Sequence, residues 1–207
     1  MTATINKVTK SAATAVPVLD VIRERWSPRA FDSRPVEREK LLSVLEAARW
    51  AASSTNAQPW RFIVATRDNP AEFEKLLNVI KEGNQTWAQN APVLMLAVAK
   101  MHHDNGNLNR HATHDTGMAL AHIALQATAL DLYIRMMGGF YVDKAVEAYN
   151  IPEGYEPITA LALGYYGDPQ QLEEQRREQE LSAQRHRKPL SAMVFSGDWE
   201  NPADFVE

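Results

Sequence analysis

The chain has 207 residues, a net charge of -4, 45% apolar and 23% charged residues, and no cysteine. This length suits a single α+β domain, or one protomer of an intertwined oligomer. The acidic balance disfavours a general nucleic-acid surface, and the lack of cysteine excludes disulfides, thiolate metal sites and thiol nucleophiles. Because no apolar run could span a bilayer and residues 1–16 lack the apolar core of a signal peptide, we expect a cytoplasmic protein.

The first half of the chain predicts helices that alternate with strands. Residues 1–16 have no hydrophobic periodicity and are predicted to form a flexible arm, followed by a single domain over residues 17–207. Helical periodicity and end signals predict three helices and two strands. The helices cover residues 16–25, 35–51 and 69–85, and the strands cover residues 60–66 and 92–99. The second strand is nearly all apolar, which is typical of a buried central strand.

The second half is predicted to begin with a loop over residues 101–115 and to continue through helices and strands. The helices cover residues 116–132, 143–149 and 168–180, and the strands cover residues 133–137, 158–164 and 190–195. Because the helix over 116–132 is apolar on almost every side, we expect a partner chain to cover part of it. The helix over 168–180 carries dense mixed charge, which predicts a solvated face.

Four histidines lie between residues 102 and 114, beside acidic and amide side chains. A metal site would need ligand spacings such as H-x-x-x-H on a helix or an HExxH motif, and neither is present. We therefore predict an exposed loop near a pocket mouth and no metal site. His122, in the middle of an apolar helix, is predicted to be a hydrogen-bonded buried histidine.

Three polar segments carry the chemistry of the chain. The first is Arg25-Trp26-Ser27-Pro28-Arg29, whose two guanidiniums and hydroxyl could hold an anion, although such a helix end is ordinarily solvated. The second is the turn over residues 51–62, rich in small polar side chains: Ser53, Ser54, Thr55, Asn56 and Gln58. The third is Met137-Gly138-Gly139, where the backbone could approach a flat ligand. A basic pair, Arg185 and Arg187, follows near the end.

Together these segments resemble the FMN-dependent nitroreductase family, from about residue 17 to 195. The turn is similar to the family pattern A-P-S-S-x-N-x-Q-P-W-x-F, except that Ala52 replaces the usual Pro. The resemblance implies that Arg25, Trp26, Ser27 and Arg29 form the element that binds the FMN phosphate and ribityl chain, and that Arg185 and Arg187 reach the same phosphate. It implies that residues 53–58 approach the flavin from the partner subunit. It also implies that Asn84 faces the pyrimidine ring and that the Gly138 backbone, between Met137 and Gly139, faces flavin N5.

The resemblance further implies a fold and a reaction. The fold is a central, mostly antiparallel sheet flanked by helices, with a C-terminal segment that extends onto the partner of an intertwined homodimer. The reaction is NAD(P)H reduction of non-covalently bound FMN, followed by electron transfer to a nitroaromatic, quinone or similar small acceptor. The chain has no second nucleotide motif, so donor and acceptor would share one flavin face in ping-pong turnover.

Other functions remain open from sequence alone. The same fold serves ene reduction and dehalogenation, and a flavin-storing module would need no turnover. A nucleic-acid-binding helix over residues 176–188 is disfavoured because neighbouring glutamates cancel its charge.

Overall fold

The structure is a computed structural model that describes residues 10–182 and 185–206. Most of the predicted arm, residues 1–9, lies outside the described residues. The α-helices are α1 (Asp20–Glu24), α2 (Arg38–Arg49), α3 (Pro70–Val79), α4 (Glu82–Ala88), α5 (Ala112–Ala129), α6 (Val142–Tyr149) and α7 (Glu174–Leu181). The strands are β1 (Trp60–Thr66), β2 (Val93–Lys100), β3 (Tyr133–Met137) and β4 (Tyr155–Gly164). Short 3-10 helices occupy Ser54–Asn56, Pro169–Gln171, Leu190–Ala192 and Asp204–Val206.

The four strands form one antiparallel sheet in the order β1-β2-β4-β3. The α+β architecture predicted from the sequence, an antiparallel sheet flanked by helices, is therefore confirmed. The predicted bounds of β1 and β3 also match the structure. Within the described residues no helix is long and apolar enough to cross a membrane.

Strand β2 lies in the interior because helices cover both faces of the sheet. Its side chains alternate between the faces, as successive residues of a strand must. Leu94 and Leu96 pack in one core with Trp87 of α4, whereas Met95 packs in the other with Ile123 of α5. Every residue from 93 to 99 is buried, which explains why the strand has no polar position before Lys100.

The predicted helix over residues 69–85 is wrong, because the structure breaks it in two. Ile80 ends α3 with an extended backbone (φ -78°, ψ 143°) and forms an isolated bridge with Phe140. The Gln85 side chain donates a 2.7 Å hydrogen bond to the Ile80 carbonyl, and the chain re-enters a helix at Glu82. Pairing with a distant segment thus overrides the local helical pattern, and Asn84 lies inside α4 and not at a helix end.

The predicted final strand over residues 190–195 is also wrong. The segment begins as a 3-10 helix, and Phe195 forms only an isolated bridge with Pro202. Gly197 reverses the chain with a φ of +77°, so this tail pairs with itself and not with the sheet. Trp199 and Phe205 are each 83% exposed.

Four helix starts also differ from the prediction by three residues or more. Helix α1 begins at Asp20 and not at residue 16, and α2 begins at Arg38 and not at residue 35. Helix α5 begins at Ala112, within the segment predicted to be a loop, and the charged helix begins only at Glu174 after the Pro169–Gln171 turn.

Candidate functional site

Aromatic packing fixes the loop that carries the first polar segment, residues 25–31. Trp26 is buried, and its ring lies 5.8 Å from that of Tyr133 and 5.3 Å from that of Tyr166. Phe31, only 1% exposed, ends the loop in a bridge with Tyr166. Trp26 therefore anchors the loop, while the polar residues between the two anchors form the candidate site.

Arg25, Arg185 and Arg187 form one cationic group. Arg25 donates to the Ser27 hydroxyl at 3.2 Å. Burial lowers the pKa of Arg25, and the charges of Arg185 and then Arg187 lower it further. The pKa of Arg185 is likewise lowered by burial and by Arg187, although Glu24 raises it. We call these three guanidiniums the anion group, since a bound anion would relieve their repulsion.

Arg185 also holds the main chain around the anion group. Its guanidinium donates to the carbonyls of Lys10 (2.6 Å), Arg23 (2.9 Å) and Arg25 (2.7 Å). Arg187 is exposed, and the hydrogen bond it makes within the described part of the chain is local, to the carbonyl of His186 at 2.8 Å. The two arginines of the basic pair therefore differ, because one is built into the fold and the other extends into solvent.

Arg29 lies in a second group, with Arg135 of β3 and with Arg176 and Glu180 of α7. Burial lowers the pKa of Arg29, while Glu180 raises it and Arg176 lowers it. Burial lowers the pKa of Arg135 to about 10, with a further contribution from Arg29. The Arg135 guanidinium donates to the Ser27 carbonyl and lies over the Trp87 ring at 5.5 Å. The residues predicted to bind phosphate are thus divided between two neighbourhoods.

The glycine pair after β3 lies against α4. Asn84 donates its side-chain amide to the Gly139 carbonyl at 3.2 Å, and the Lys81 N–H donates to the same oxygen at 3.0 Å. A Cβ on Gly139 would lie 2.5 Å from Asn84 Nδ2, so a side chain there would displace the Asn84 amide. Gly138 is different, because it is exposed and a Cβ would meet nothing within 4 Å. Met137, before the pair, is buried in the core.

The turn over residues 53–58 has a strained backbone. Thr55, Asn56 and Gln58 have φ values of +52°, +56° and +46°, in the left-handed region that costs a β-branched residue most. The turn closes on itself, since the Asn56 N–H donates to the Ser53 carbonyl and the Gln58 N–H donates to the Ser53 hydroxyl, both at 3.0 Å. Thr55, Asn56 and Gln58 are exposed, and so available to a ligand or partner.

One distant residue ties this turn to α5. Asp115 is only 2% exposed and accepts the Ser54 N–H at 2.9 Å. Its other oxygen lies 2.9 Å from His114 Nδ1.

Residues 22–165 match the model of the nitroreductase family. The chain belongs to the nitroreductase family. A crystal structure described as an oxidoreductase containing FMN is 35% identical, with a TM-score of 0.86, and covers 91% of this chain and 96% of its own. An uncharacterized 15.4 kDa protein of Mycolicibacterium smegmatis is 32% identical over 149 residues, covering 69% of this chain and 99% of that protein. The major NAD(P)H-flavin oxidoreductase of Aliivibrio fischeri is 42% identical over 53 residues, or 25% of this chain and 24% of that protein.

Family membership confirms the resemblance found in the sequence. The predicted site residues form three hydrogen-bonded groups: the loop 25–31 with Arg185, the Gly139 carbonyl with Asn84, and the turn 53–58. Within residues 10–182 and 185–206, no hydrogen bond joins these three groups to one another.

Sequence reasoning missed the contribution of α7. The helix was predicted to be a solvated face, but Glu180 is 2% exposed and Arg176 contacts α4 through the Thr86 hydroxyl. The available signal was spacing, because Arg176 and Glu180 are four residues apart and therefore share a face. Arg135 was missed because a single charge in a short strand gives no pattern.

The predicted hydrogen bond of His122 is found, whereas His114 lies in α5 and not in the predicted loop. His122 is half-buried, with Nδ1 3.1 Å from the Ala47 carbonyl oxygen. His102 and His103 line a cavity of about 50 Å³ with Lys100 and Asp104. In the part of the chain that the structure describes, no three acidic or histidine side chains are grouped as metal ligands.

Proposed function

We propose that this chain binds FMN non-covalently and is an FMN-dependent oxidoreductase that takes electrons from NAD(P)H and passes them to a nitroaromatic, quinone or similar small acceptor. Family membership and the likeness to an oxidoreductase containing FMN support the cofactor. The likeness to an NAD(P)H-flavin oxidoreductase supports the electron donor.

The anion group is the observation that carries the proposal. A phosphate monoester is a dianion. When it moves from water into a protein site, several forked cationic donors must replace its hydration. Arg185 and Arg187 are close enough to lower the pKa of Arg25, Arg187 also lowers the pKa of Arg185, and Glu24 raises the pKa of Arg185. Such a group is costly on its own and is stabilised by a phosphate. Ser27, which already accepts from Arg25, adds a hydroxyl beside it.

The ring of the cofactor has a suitable place beside the glycine pair. Bound FMN supplies the hydride transfer, so the protein has to bind, orient and exclude water. Gly138 leaves room for a flat ring to approach the main chain, and Asn84 holds the neighbouring Gly139 carbonyl in place. Arg29 and its neighbours add positive charge near α4, which favours the negative charge that a reduced flavin gains.

We propose that a second copy of the chain completes the site. Among the described residues no hydrogen bond joins the exposed turn 53–58 to the loop 25–31, and we propose that a flavin held by both is shared between two chains. The exposed Trp199 and Phe205 of the tail are apolar surface suited to a partner. A homodimer with two interface sites satisfies both observations.

We propose ping-pong turnover because the sequence has one nucleotide-binding arrangement and no second motif. The nicotinamide must leave before the acceptor arrives at the same face.

The test is to purify the protein, record its visible spectrum and add FMN. We expect a yellow protein whose flavin is bleached by NADH or NADPH without oxygen, and is reoxidised by a nitroaromatic or a quinone. Initial rates should give parallel lines, and dilution should release FMN together with the monomer. A protein that takes up no FMN would contradict the proposal. Bound flavin that neither nicotinamide reduces would favour a storage module instead.

A further inference from the structure

Helix α7 carries a buried carboxylate that reaches the candidate site. Glu180 is 2% exposed. Its Oε1 accepts the Arg29 N–H at 2.9 Å and the Ala30 N–H at 3.1 Å, while Oε2 lies 3.1 Å from the Arg29 nitrogen. A carboxylate that accepts two main-chain amides about 150 residues away fixes the backbone at Arg29. The position of the Arg29 side chain therefore depends on Glu180.

Glu180 is also surrounded by cations. Its charge raises the pKa of Arg29 and of Arg135, against the repulsion that each receives from Arg176. Arg176 pairs separately with Glu173 at 2.7 Å. The buried Lys10 ammonium, 3.1 Å from the Gln179 carbonyl oxygen, also interacts with Glu180.

The main chain and the charge balance lead to one inference. We propose that Glu180 is a positioning residue of the flavin site: its carboxylate fixes the main chain at Arg29 and offsets the surrounding guanidiniums, and so sets how strongly the site favours reduced over oxidised cofactor. This inference rests on the proposed FMN function. It assigns a role to a residue that contacts the loop and not the cofactor.

Removing the charge of Glu180 should change the midpoint potential of the bound flavin, which a purely structural role would leave unchanged. Oxidised FMN takes up two electrons from NAD(P)H and one proton, so the ring gains one negative charge. The Glu180 carboxylate, which offsets the positive charge of Arg29 and Arg135, would oppose that gain. Removing its charge should raise the affinity for reduced FMN relative to oxidised FMN, which is a shift of the midpoint potential to more positive values.

Glu180→Gln separates charge from hydrogen bonding, because its amide oxygen can still accept the Arg29 and Ala30 N–H groups. We expect the ratio of reduced to oxidised affinity to rise about threefold to tenfold. For a two-electron couple this corresponds to about 15 to 30 mV. Glu178→Gln is the matched control, since Glu178 is exposed on the same helix. It removes the same charge and should leave the potential at the parent value.

Glu180→Ala removes the acceptor as well as the charge. We expect FMN affinity to fall about tenfold or more, because two loop amides lose their partner. Glu180→Gln should restore most of that affinity. Because the alanine variant could fail to fold, its unfolding is measured without FMN, and the glutamine variant then decides.

The outcomes separate the inference from the function on which it rests. A Glu180→Gln protein with the potential of both the parent and Glu178→Gln would overturn the inference alone. A parent protein that binds no FMN would contradict the proposed function, and the inference would fall with it.

Discussion

The loop 25–31 and the turn 53–58 are held in opposite ways. The loop makes its main contacts with residues more than 100 positions away in the chain. Glu180 accepts its amides, Arg135 donates to its Ser27 carbonyl, and Arg185 donates to its Arg25 carbonyl. The loop therefore has a defined shape only after the C-terminal part of the chain has docked.

The turn 53–58 instead makes its contacts with itself. Ser53 accepts the amides of Asn56 and Gln58, and the Gln58 side chain donates to the Asn56 carbonyl. Among the described residues, Asp115 is the distant residue that bonds to the turn, by accepting the Ser54 N–H. A turn that is stabilised by its own residues can therefore be recognised in the sequence. A loop that is stabilised by distant residues can be recognised only in the folded structure.

The largest expected effect tests whether contacts with distant residues fix the loop 25–31. Gly167 donates its N–H to the Ala30 carbonyl, and a Cβ there would lie 2.4 to 2.6 Å from backbone atoms of Phe31 and Asp32. Because backbone cannot move aside cheaply, Gly167→Ala should lower the free energy of unfolding by about 3 kcal/mol. Urea unfolding of the FMN-free protein measures this. A loss below about 0.5 kcal/mol would show that the loop is not fixed in this way.

Gly138→Ala is the matched control, since the same added methyl group meets nothing within 4 Å. Its free energy of unfolding should stay within about 0.5 kcal/mol of the parent. FMN affinity should nevertheless fall about tenfold, because the methyl group occupies the space proposed for the ring. Unchanged FMN affinity would show that the flavin ring does not lie beside Gly138.

The second prediction contrasts the two arginines of the basic pair. Arg185→Ala should lower FMN affinity about tenfold to a hundredfold and the free energy of unfolding by about 1–3 kcal/mol, because three carbonyls lose their donor. Arg187→Ala should lower FMN affinity similarly while leaving the unfolding free energy within about 0.5 kcal/mol. Fluorescence titration and urea unfolding measure the two quantities. Equal stability losses would contradict the division of roles.

The third prediction concerns the distant hydrogen bond of the turn. Asp115→Ala leaves the Ser54 N–H without its acceptor and should lower the free energy of unfolding by about 1–2 kcal/mol. Asp115→Asn keeps an acceptor oxygen and should recover part of the loss. His114→Ala is the control, since that side chain is 67% exposed and should change stability by less than about 0.5 kcal/mol. Should Asp115→Ala be as stable as the parent, the turn would need no outside support.

The same contrast explains how far the sequence could be read. Hydrophobic periodicity predicted the sheet strands, since β1 and β3 are found at their predicted bounds. Consecutive motifs led to the turn and to Arg25, which the structure groups with Arg185 and Arg187. The turn depends on near neighbours in the chain, which sequence patterns record well, whereas the link between Arg25 and the basic pair came from the family resemblance.

What could not be predicted depends on contacts between distant segments. Ile80 breaks a helix because it pairs with Phe140, and Glu180 is buried because it accepts amides from the loop. The tail over residues 190–195 has apolar residues typical of a strand, but among the described residues its bridge is with Pro202 and not with a strand of the sheet. In each case the local pattern allows two states, and a distant partner selects one.

The smallest expected effect tests the strain within the turn itself. Thr55 is β-branched and has a φ of +52°, which costs an L-residue about 1–2 kcal/mol relative to glycine. Glycine loses about 0.5–1 kcal/mol through the greater freedom of its unfolded chain. Thr55→Gly should therefore be about 0.5–1 kcal/mol more stable than Thr55→Ala, and both variants lose the same hydroxyl bond to the Ser54 carbonyl. Urea unfolding of the two variants side by side isolates the backbone effect. If the alanine variant were the more stable, the left-handed backbone at residue 55 would not be strained. The turn would then keep its conformation at no cost in backbone energy.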